Sequence, residues 1–125
     1  MNSKQFEFDA VVAHLYKQGR PAKDDYNRCY YRGENGLTCA FGCRIPDVNY
    51  SPDMEQLNVC SALDVAVGTL PPELYEYRYM YMGLQGAHDN CNTNEDGTFD
   101  LVDLANRLRD TASHHKVTFT EPKGE

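Results

Sequence analysis

The feature that most constrains this chain is the dipeptide Asn35-Gly36, which lies between two short runs of residues suited to strands. Asn and Gly both tolerate the positive φ angles of a type I′ turn, so the pair is a strong signal for a tight β-hairpin. We therefore predict that residues 29–34 pair with residues 37–42.

Helical periodicity fills most of the remaining chain. Apolar residues recur at spacings of three and four over residues 6–18, 70–90 and 99–113, which predicts three main helices. Residues 51–57 and 60–67 are expected to form two shorter helices. The expected fold class is therefore α+β, with a β-hairpin or small antiparallel sheet packed on three main helices.

The length of 125 residues fits one domain. We expect residues 1–120 to form this single globular domain and residues 121–125 to be a flexible C-terminal tail. No apolar run is long enough for a signal peptide or a membrane span, so we expect a cytoplasmic location. Five cysteines, an odd number in a chain without a secretion signal, predict reduced thiols rather than a disulfide framework.

The net charge of −7 is concentrated in the second half of the chain. Residues 61–125 contain eleven acidic side chains and five basic ones. A chain this acidic is a poor candidate for nonspecific nucleic-acid binding, because both polymers are negatively charged. A basic protein surface or a cation fits the charge better.

Residues 29–47 follow the pattern Cys-x-Tyr-Arg-Gly-x-x-Gly-Leu-x-Cys-Ala-x-Gly-Cys-x-Ile-Pro-Asp, and residues 50–55 follow Tyr-Ser-Pro-x-Met-Glu. This motif resembles that of a family of short uncharacterised proteins in bacteria and tailed phages. Further matches lie in residues 11–19 and 84–89. The resemblance implies a common origin and one fold unit, and it brings no established activity.

The most specific chemical motif is the segment of residues 92–103, which resembles the calcium loop of an EF-hand. Gly97 stands where that loop bends sharply. The motif departs at its first position, which is Asn, and at its last, where Asp is too short to reach as a bidentate Glu does. The same residues also fit a polar connection between helices, so both interpretations are open. The oxygen ligands would be Asn92, Asn94, Asp96, Asp100 and Asp103.

Zinc is a second candidate cofactor, since Cys39 and Cys43 have the close spacing of structural zinc ligands. A two-residue hairpin turn places Cys29 on the opposite ribbon face from Cys39, which disfavours shared ligation. A thiol enzyme would need Cys39 or Cys43 near His14 or His88, and the sequence does not place them together.

Three surfaces are candidates for partner binding: a helix rich in Tyr and Met, the acidic loop, and the hairpin, whose Arg and Tyr residues could alternatively bind a nucleic acid. The helix contains four tyrosines and two methionines in residues 75–82, and such residues are enriched in interfaces, including those between two copies of a chain. The candidate partner-binding residues are Tyr77, Tyr79, Tyr81, Met82, Asp96, Asp100, Arg28, Tyr30 and Arg32.

The sequence contains no Gly-rich phosphate loop, serine nucleophile elbow or paired-carboxylate motif. Together with the resemblance, this favours a small cytoplasmic phage or bacterial interaction protein. We expect it to bind a protein partner and to modulate, for example inhibit, a host or defence macromolecule. The alternative is a calcium- or zinc-binding protein, or a thiol-dependent enzyme, built on the cysteine-rich hairpin.

Overall fold

A computed structural model describes residues 1–26 and 28–122 of the chain. Four short 3₁₀ turns lie between the first two helices, at Glu34–Gly36, Gly42–Arg44, Asp47–Asn49 and Pro52–Met54. Within the described ranges, no helix has the length and apolar character needed to cross a membrane. The helices are α1 (Lys4–Gln18), α2 (Val59–Ala66), α3 (Pro72–Glu76), α4 (Arg78–Asn90) and α5 (Leu101–His115).

The predicted α+β class is wrong, because the predicted hairpin does not form. The structure is 56% helix and 5% strand, without a sheet in the described residues. Asn35 and Gly36 do have positive φ angles of 59° and 75°, yet they belong to a 3₁₀ turn. One isolated bridge joins the two segments, between Arg32 and Thr38, and it is one residue out of the register that pairing residues 29–34 with 37–42 requires.

Burial explains why the second strand is lost. The four consecutive residues 39–42 are all buried, whereas a ribbon with one solvent face buries only alternate residues. The chain instead turns into Gly42–Arg44 inside the core. Gly42 lies so close to Tyr31 that a Cβ atom would be 2.0 Å from the Tyr31 carbonyl oxygen.

The three main helices are present as α1, α4 and α5, with bounds that differ from the prediction. Helix α1 begins earlier than expected, since the Ser3 side chain accepts a hydrogen bond from the Phe6 N–H, and it ends at Gly19 with a φ of 75°. Helix α5 begins at Leu101, two residues later than predicted, with Asp100 as its N-cap. The predicted helix over residues 70–90 is broken at Tyr77 into α3 and α4.

Of the two expected short helices, one forms in full. Helix α2 is capped by Asn58, whose side chain accepts from the Ser61 N–H. The other is reduced to the turn Pro52–Met54, where the Ser51 side chain accepts from the Asp53 N–H. The expected flexible tail lies partly outside the described residues, which end at Pro122.

Helix α4 lies at the centre of the fold. Its Tyr81, Leu84 and His88 side chains are fully buried. On the face toward α5, Gly83 permits close approach, because a Cβ atom there would be 3.0 Å from Thr111 Cγ2. The buried apolar side chains of the described residues form a core cluster around this helix.

Side chains of α4, rather than a sheet, hold the long connection between α1 and α2. Gln85 Oε1 accepts a hydrogen bond from the Phe41 N–H at 3.0 Å. His88 Nε2 accepts from the Ala22 N–H, also at 3.0 Å. Because buried backbone N–H groups need partners, these bonds replace ladder bonds that the coil cannot make.

Candidate functional site

A cleft of about 360 Å³ opens between α4, the start of α2 and the loop that follows α1. Its apolar walls include Tyr30, Val59 and Met82, and its polar lining includes two carboxylates, Glu55 and Asp89. We call this feature the Asp89 cleft. In this cleft, an apolar surface lies next to the carboxylates of Glu55 and Asp89.

At the end of the cleft, Cys29, His88 and Asp89 place a sulfur, a ring nitrogen and a carboxylate oxygen within 4.8 Å of one another. His88 is fully buried, and its Nε2 atom faces the Ala22 N–H. Because a backbone N–H can only donate, Nε2 is the unprotonated nitrogen and Nδ1 carries the proton. Nδ1 then donates to Asp89 Oδ1 at 2.7 Å, and the ring is neutral in this arrangement.

Asp89 accepts hydrogen bonds from two side chains. Oδ1 also accepts from Gln85 Nε2 at 2.7 Å, and the Cys29 sulfur lies within 4.8 Å of the carboxylate. Burial alone would raise the pKa of Asp89, but these bonds outweigh it and hold the pKa below its ordinary value. Asp89 is therefore an ionised carboxylate at neutral pH.

Cys29 is poorly suited to act as a nucleophile. Burial, followed by the charge of Asp89, raises the pKa of its thiol to about 12. Both nitrogens of His88 are already used, one by Ala22 and one by Asp89, so the ring cannot take the thiol proton. His88 and Asp89 thus form a hydrogen-bonded pair beside Cys29, and the ring is not a base for the thiol.

The hydrogen bonds of His88 also disfavour a metal at these residues. Coordination through Nδ1 would move the ring proton to Nε2, where it would oppose the Ala22 N–H. Coordination would also require the thiolate of Cys29, whose pKa is raised. As folded, the cluster is a set of matched donors and acceptors.

The cysteines on which the zinc and thiol hypotheses rested lie elsewhere. Cys39 is fully buried and accepts a hydrogen bond from the Gly42 N–H at 3.2 Å, and burial raises its pKa well above the ordinary value. Cys43 donates to the Ala40 carbonyl oxygen at 3.2 Å, and burial raises its pKa to about 12. His14 bonds Thr38 instead of a thiol. Zinc binding by these two cysteines stays a prediction.

The loop of residues 92–103 uses its carboxylates to hold its own backbone. Asp96 Oδ1 accepts from both the N–H and the hydroxyl of Thr98, and Asp100 Oδ1 accepts from the first N–H groups of α5. Asp103 Oδ2 pairs with Arg107 Nε at 2.9 Å. These contacts correspond to the structural interpretation of the motif, and calcium binding stays a prediction.

The two asparagines of that motif have similar roles. The Asn92 N–H donates to Asp103, and Asn94 Nδ2 donates to the Thr98 hydroxyl at 3.0 Å. Asn94 and Asp100 also line a wide groove beside Leu101. Both ends of the loop are thus held by hydrogen bonds, and none of its residues lines the Asp89 cleft.

The structure divides the Tyr/Met-rich helix into buried and exposed members. Tyr81 is fully buried and donates to Glu7, whereas Tyr77 is half-buried and donates to the main-chain oxygen of Asn2 at 2.9 Å. Tyr79 and Met82 are exposed, by 62% and 40%. Tyr79 and Met82 are therefore the members most accessible to a partner, and partner binding by this helix stays a prediction.

The basic residues of the expected hairpin are largely paired within the chain. Arg28 pairs with Asp24 at 2.7 Å, and Tyr30, which lines the cleft, donates to the same carboxylate. Arg32 pairs with Asp47 at 2.7 Å and stacks over the Tyr50 ring.

Sequence reasoning missed the centre of this site, namely Asp89 with its supporting Gln85 and the nearby Glu55. The segments 29–47, 50–55 and 84–89, on which the predicted resemblance is based, all contribute residues to the cleft or to its immediate support, and the resemblance itself stays a prediction.

Comparisons with known proteins add no relative. No protein family, curated protein or solved structure matches the chain. The geometry of the cleft is therefore the main basis for a functional proposal.

Proposed function

We propose that this protein is a small binding protein that docks on a macromolecular partner through the Asp89 cleft and the exposed side chains beside it. One observation carries the proposal: Tyr79 and Met82 are exposed on the same face of α4 as Gly86 and Asp89. Tyr79 and Met82 thus form an apolar strip that leads into the cleft, where the charged group is the Asp89 carboxylate.

The composition of this strip is typical of protein interfaces. Tyr and Met supply large contact areas, and Met adapts its shape to a partner. The Tyr79 ring is braced by the Arg78 guanidinium, whose carbon lies 4.9 Å from the ring centroid. Met82 is braced by the Cys60 thiol, 3.3 Å from its sulfur.

The neighbouring chemistry supports binding over thiol catalysis, because the Cys29 thiol is held protonated and His88 cannot act as its base. The resemblance to phage and bacterial proteins suggests a host or defence macromolecule as the partner. Modulation of that partner, for example inhibition, is the outcome that this resemblance favours.

Variant capture experiments test the proposal. Wild-type protein, Met82→Glu and Val48→Glu are immobilised and exposed to a bacterial lysate, and the bound proteins are quantified by mass spectrometry. Val48 is 91% exposed and does not line the cleft, so its variant adds the same charge to another surface. Circular dichroism checks that all three are folded.

We expect one partner to be captured by wild type and Val48→Glu and to be lost with Met82→Glu. Equal capture of the same proteins by all three would overturn the proposal. Light scattering measures the mass of the free proteins. It identifies a second outcome, in which the strip joins two copies of this chain and Met82→Glu abolishes that dimer.

A further inference from the structure

We propose that the group which the partner inserts into the Asp89 cleft is the cationic side chain of an arginine or lysine within an extended peptide segment. This inference rests on the proposed function, because it concerns the same cleft. It adds the chemical class of the occupant and the residue that recognises it.

The charge of the cleft is one-sided. Among the described residues that line it, Glu55 and Asp89 are acidic and none is Lys, Arg or His. Both oxygens of Glu55 are held inside the chain, since they accept from the N–H groups of Tyr31 and Arg32 and from the Tyr50 hydroxyl. Asp89 accepts from His88 and Gln85 through Oδ1 alone, so its Oδ2 atom is the carboxylate oxygen that is left for a ligand among the described residues.

No Lys or Arg side chain of the described residues forms an ion pair with the Asp89 carboxylate. Its side chain is 33% exposed, and its two donors, the His88 ring and the Gln85 amide, are neutral. The nearby Lys23 ammonium donates to the main-chain oxygen of Asp89 at 2.8 Å. Since largely buried charges in proteins are usually paired, a ligand cation completes this site.

The cleft walls suit a long basic side chain. The exposed Met82 and the half-buried Leu57 offer apolar contact to an aliphatic stem, and Tyr30 adds an aromatic ring to the lining. The volume of about 360 Å³ is near the lower end for ligand pockets, so the cleft fits one side chain rather than a folded element.

The opposite wall favours a peptide over a free amine. It is the start of α2, where Asn58 and Val59 line the cleft. Asn58 caps the Ser61 N–H, so the N–H groups of Val59 and Cys60 are the ones that have no acceptor within the helix and attract oxygen atoms. A peptide brings a cation for Asp89 and a carbonyl oxygen for this wall, whereas a polyamine brings only cations.

The test is a titration followed by two-dimensional NMR of the ¹⁵N-labelled full chain. The main probe is a blocked pentapeptide with a central arginine between leucines. Its matched control contains citrulline, which keeps the shape of arginine and removes the charge. Spermidine and zinc chloride are titrated separately.

The protein variant is Asp89→Asn, in which the remaining oxygen still accepts from His88 and Gln85, so the local structure is preserved. Glu95→Gln removes one exposed charge elsewhere and serves as its control. We expect the arginine peptide to shift the amide signals of residues 29–31 and 82–89 with saturation. Citrulline or Asp89→Asn should weaken that binding by about tenfold or more, and Glu95→Gln should leave it unchanged.

The proposal is overturned if the arginine peptide does not bind, or if citrulline or Asp89→Asn leaves its affinity intact. Spermidine binding as tightly as the peptide would identify a free-amine site, and zinc shifting Cys29 and His88 would identify a metal site; either result overturns it. If a partner is captured by Asp89→Asn but not by Met82→Glu, the proposed docking surface is supported and the proposed cation at Asp89 is wrong.

Discussion

Glu7 and Arg44 form a two-point ion pair, with Nε 3.0 Å from Oε1 and Nη2 2.8 Å from Oε2. The Glu7 side chain is only 2% exposed, and it also accepts from the Tyr81 hydroxyl and the Asn2 amide. This pair fastens the turn Gly42–Arg44 to α1. It is therefore one of the contacts that close the coil onto the helical core.

Replacing Arg44 should destabilise the protein, because Glu7 would remain as a buried charge without a cation. For Arg44→Met we expect the free energy of unfolding to fall by about 2–4 kcal/mol, measured by urea denaturation. Arg28→Met is the matched control, since the side chain of Arg28 is 58% exposed in its pair with Asp24, and it should leave the urea midpoint nearly unchanged. Equal losses in the two variants would contradict this assignment.

The ionisation of Glu7 should also make the stability of the protein depend on pH. Burial would raise the pKa of Glu7, but hydrogen bonds from Arg44, Tyr81 and Asn2 outweigh it and lower the pKa below 4.5. Because the folded-state pKa is the lower one, the stabilisation is complete above 4.5 and is lost as the pH falls through the folded-state value. Urea midpoints should therefore decrease below about pH 5, and the decrease should be smaller in Glu7→Gln.

The helices could be predicted from the sequence because their signals are local. Periodicity locates α1, α4 and α5, and the glycine at position 19 marks the end of the first. The break at Tyr77 could not be predicted, since no Gly or Pro marks it. Its hydroxyl bonds Asn2, which is 75 positions away, a contact that no local pattern encodes.

The error at Asn35-Gly36 has a different cause. The turn chemistry is correct, as the positive φ angles show, but a turn produces a ribbon only if the flanking residues alternate between core and solvent. The run of residues 39–42 is buried throughout instead. The site was missed for a related reason: Cys29, Glu55 and Asp89 converge only after the coil has folded against α4.

Two glycines should respond oppositely to the same substitution. Gly42→Ala should lower the free energy of unfolding by about 3 kcal/mol or more, because the new Cβ would meet the Tyr31 backbone. Gly86→Ala, inside α4, should raise it by about 0.5–1 kcal/mol, since the nearest atom would be 3.9 Å away and Ala favours a helix. Thermal unfolding followed by circular dichroism measures both. Similar shifts in the two variants would contradict the close packing at Gly42.

Cys29 should react slowly with alkylating reagents, because burial and the charge of Asp89 raise its pKa to about 12. Only the thiolate reacts, so the rate with iodoacetamide near pH 8 should be on the order of a thousandfold below that of the same thiol in urea-unfolded protein. Peptide mapping by mass spectrometry gives the rate at this residue. Asp89→Asn should accelerate the reaction, since it removes the negative charge that opposes the thiolate. A fast reaction in the folded wild type would contradict the raised pKa of Cys29 and would support thiol chemistry at this cleft.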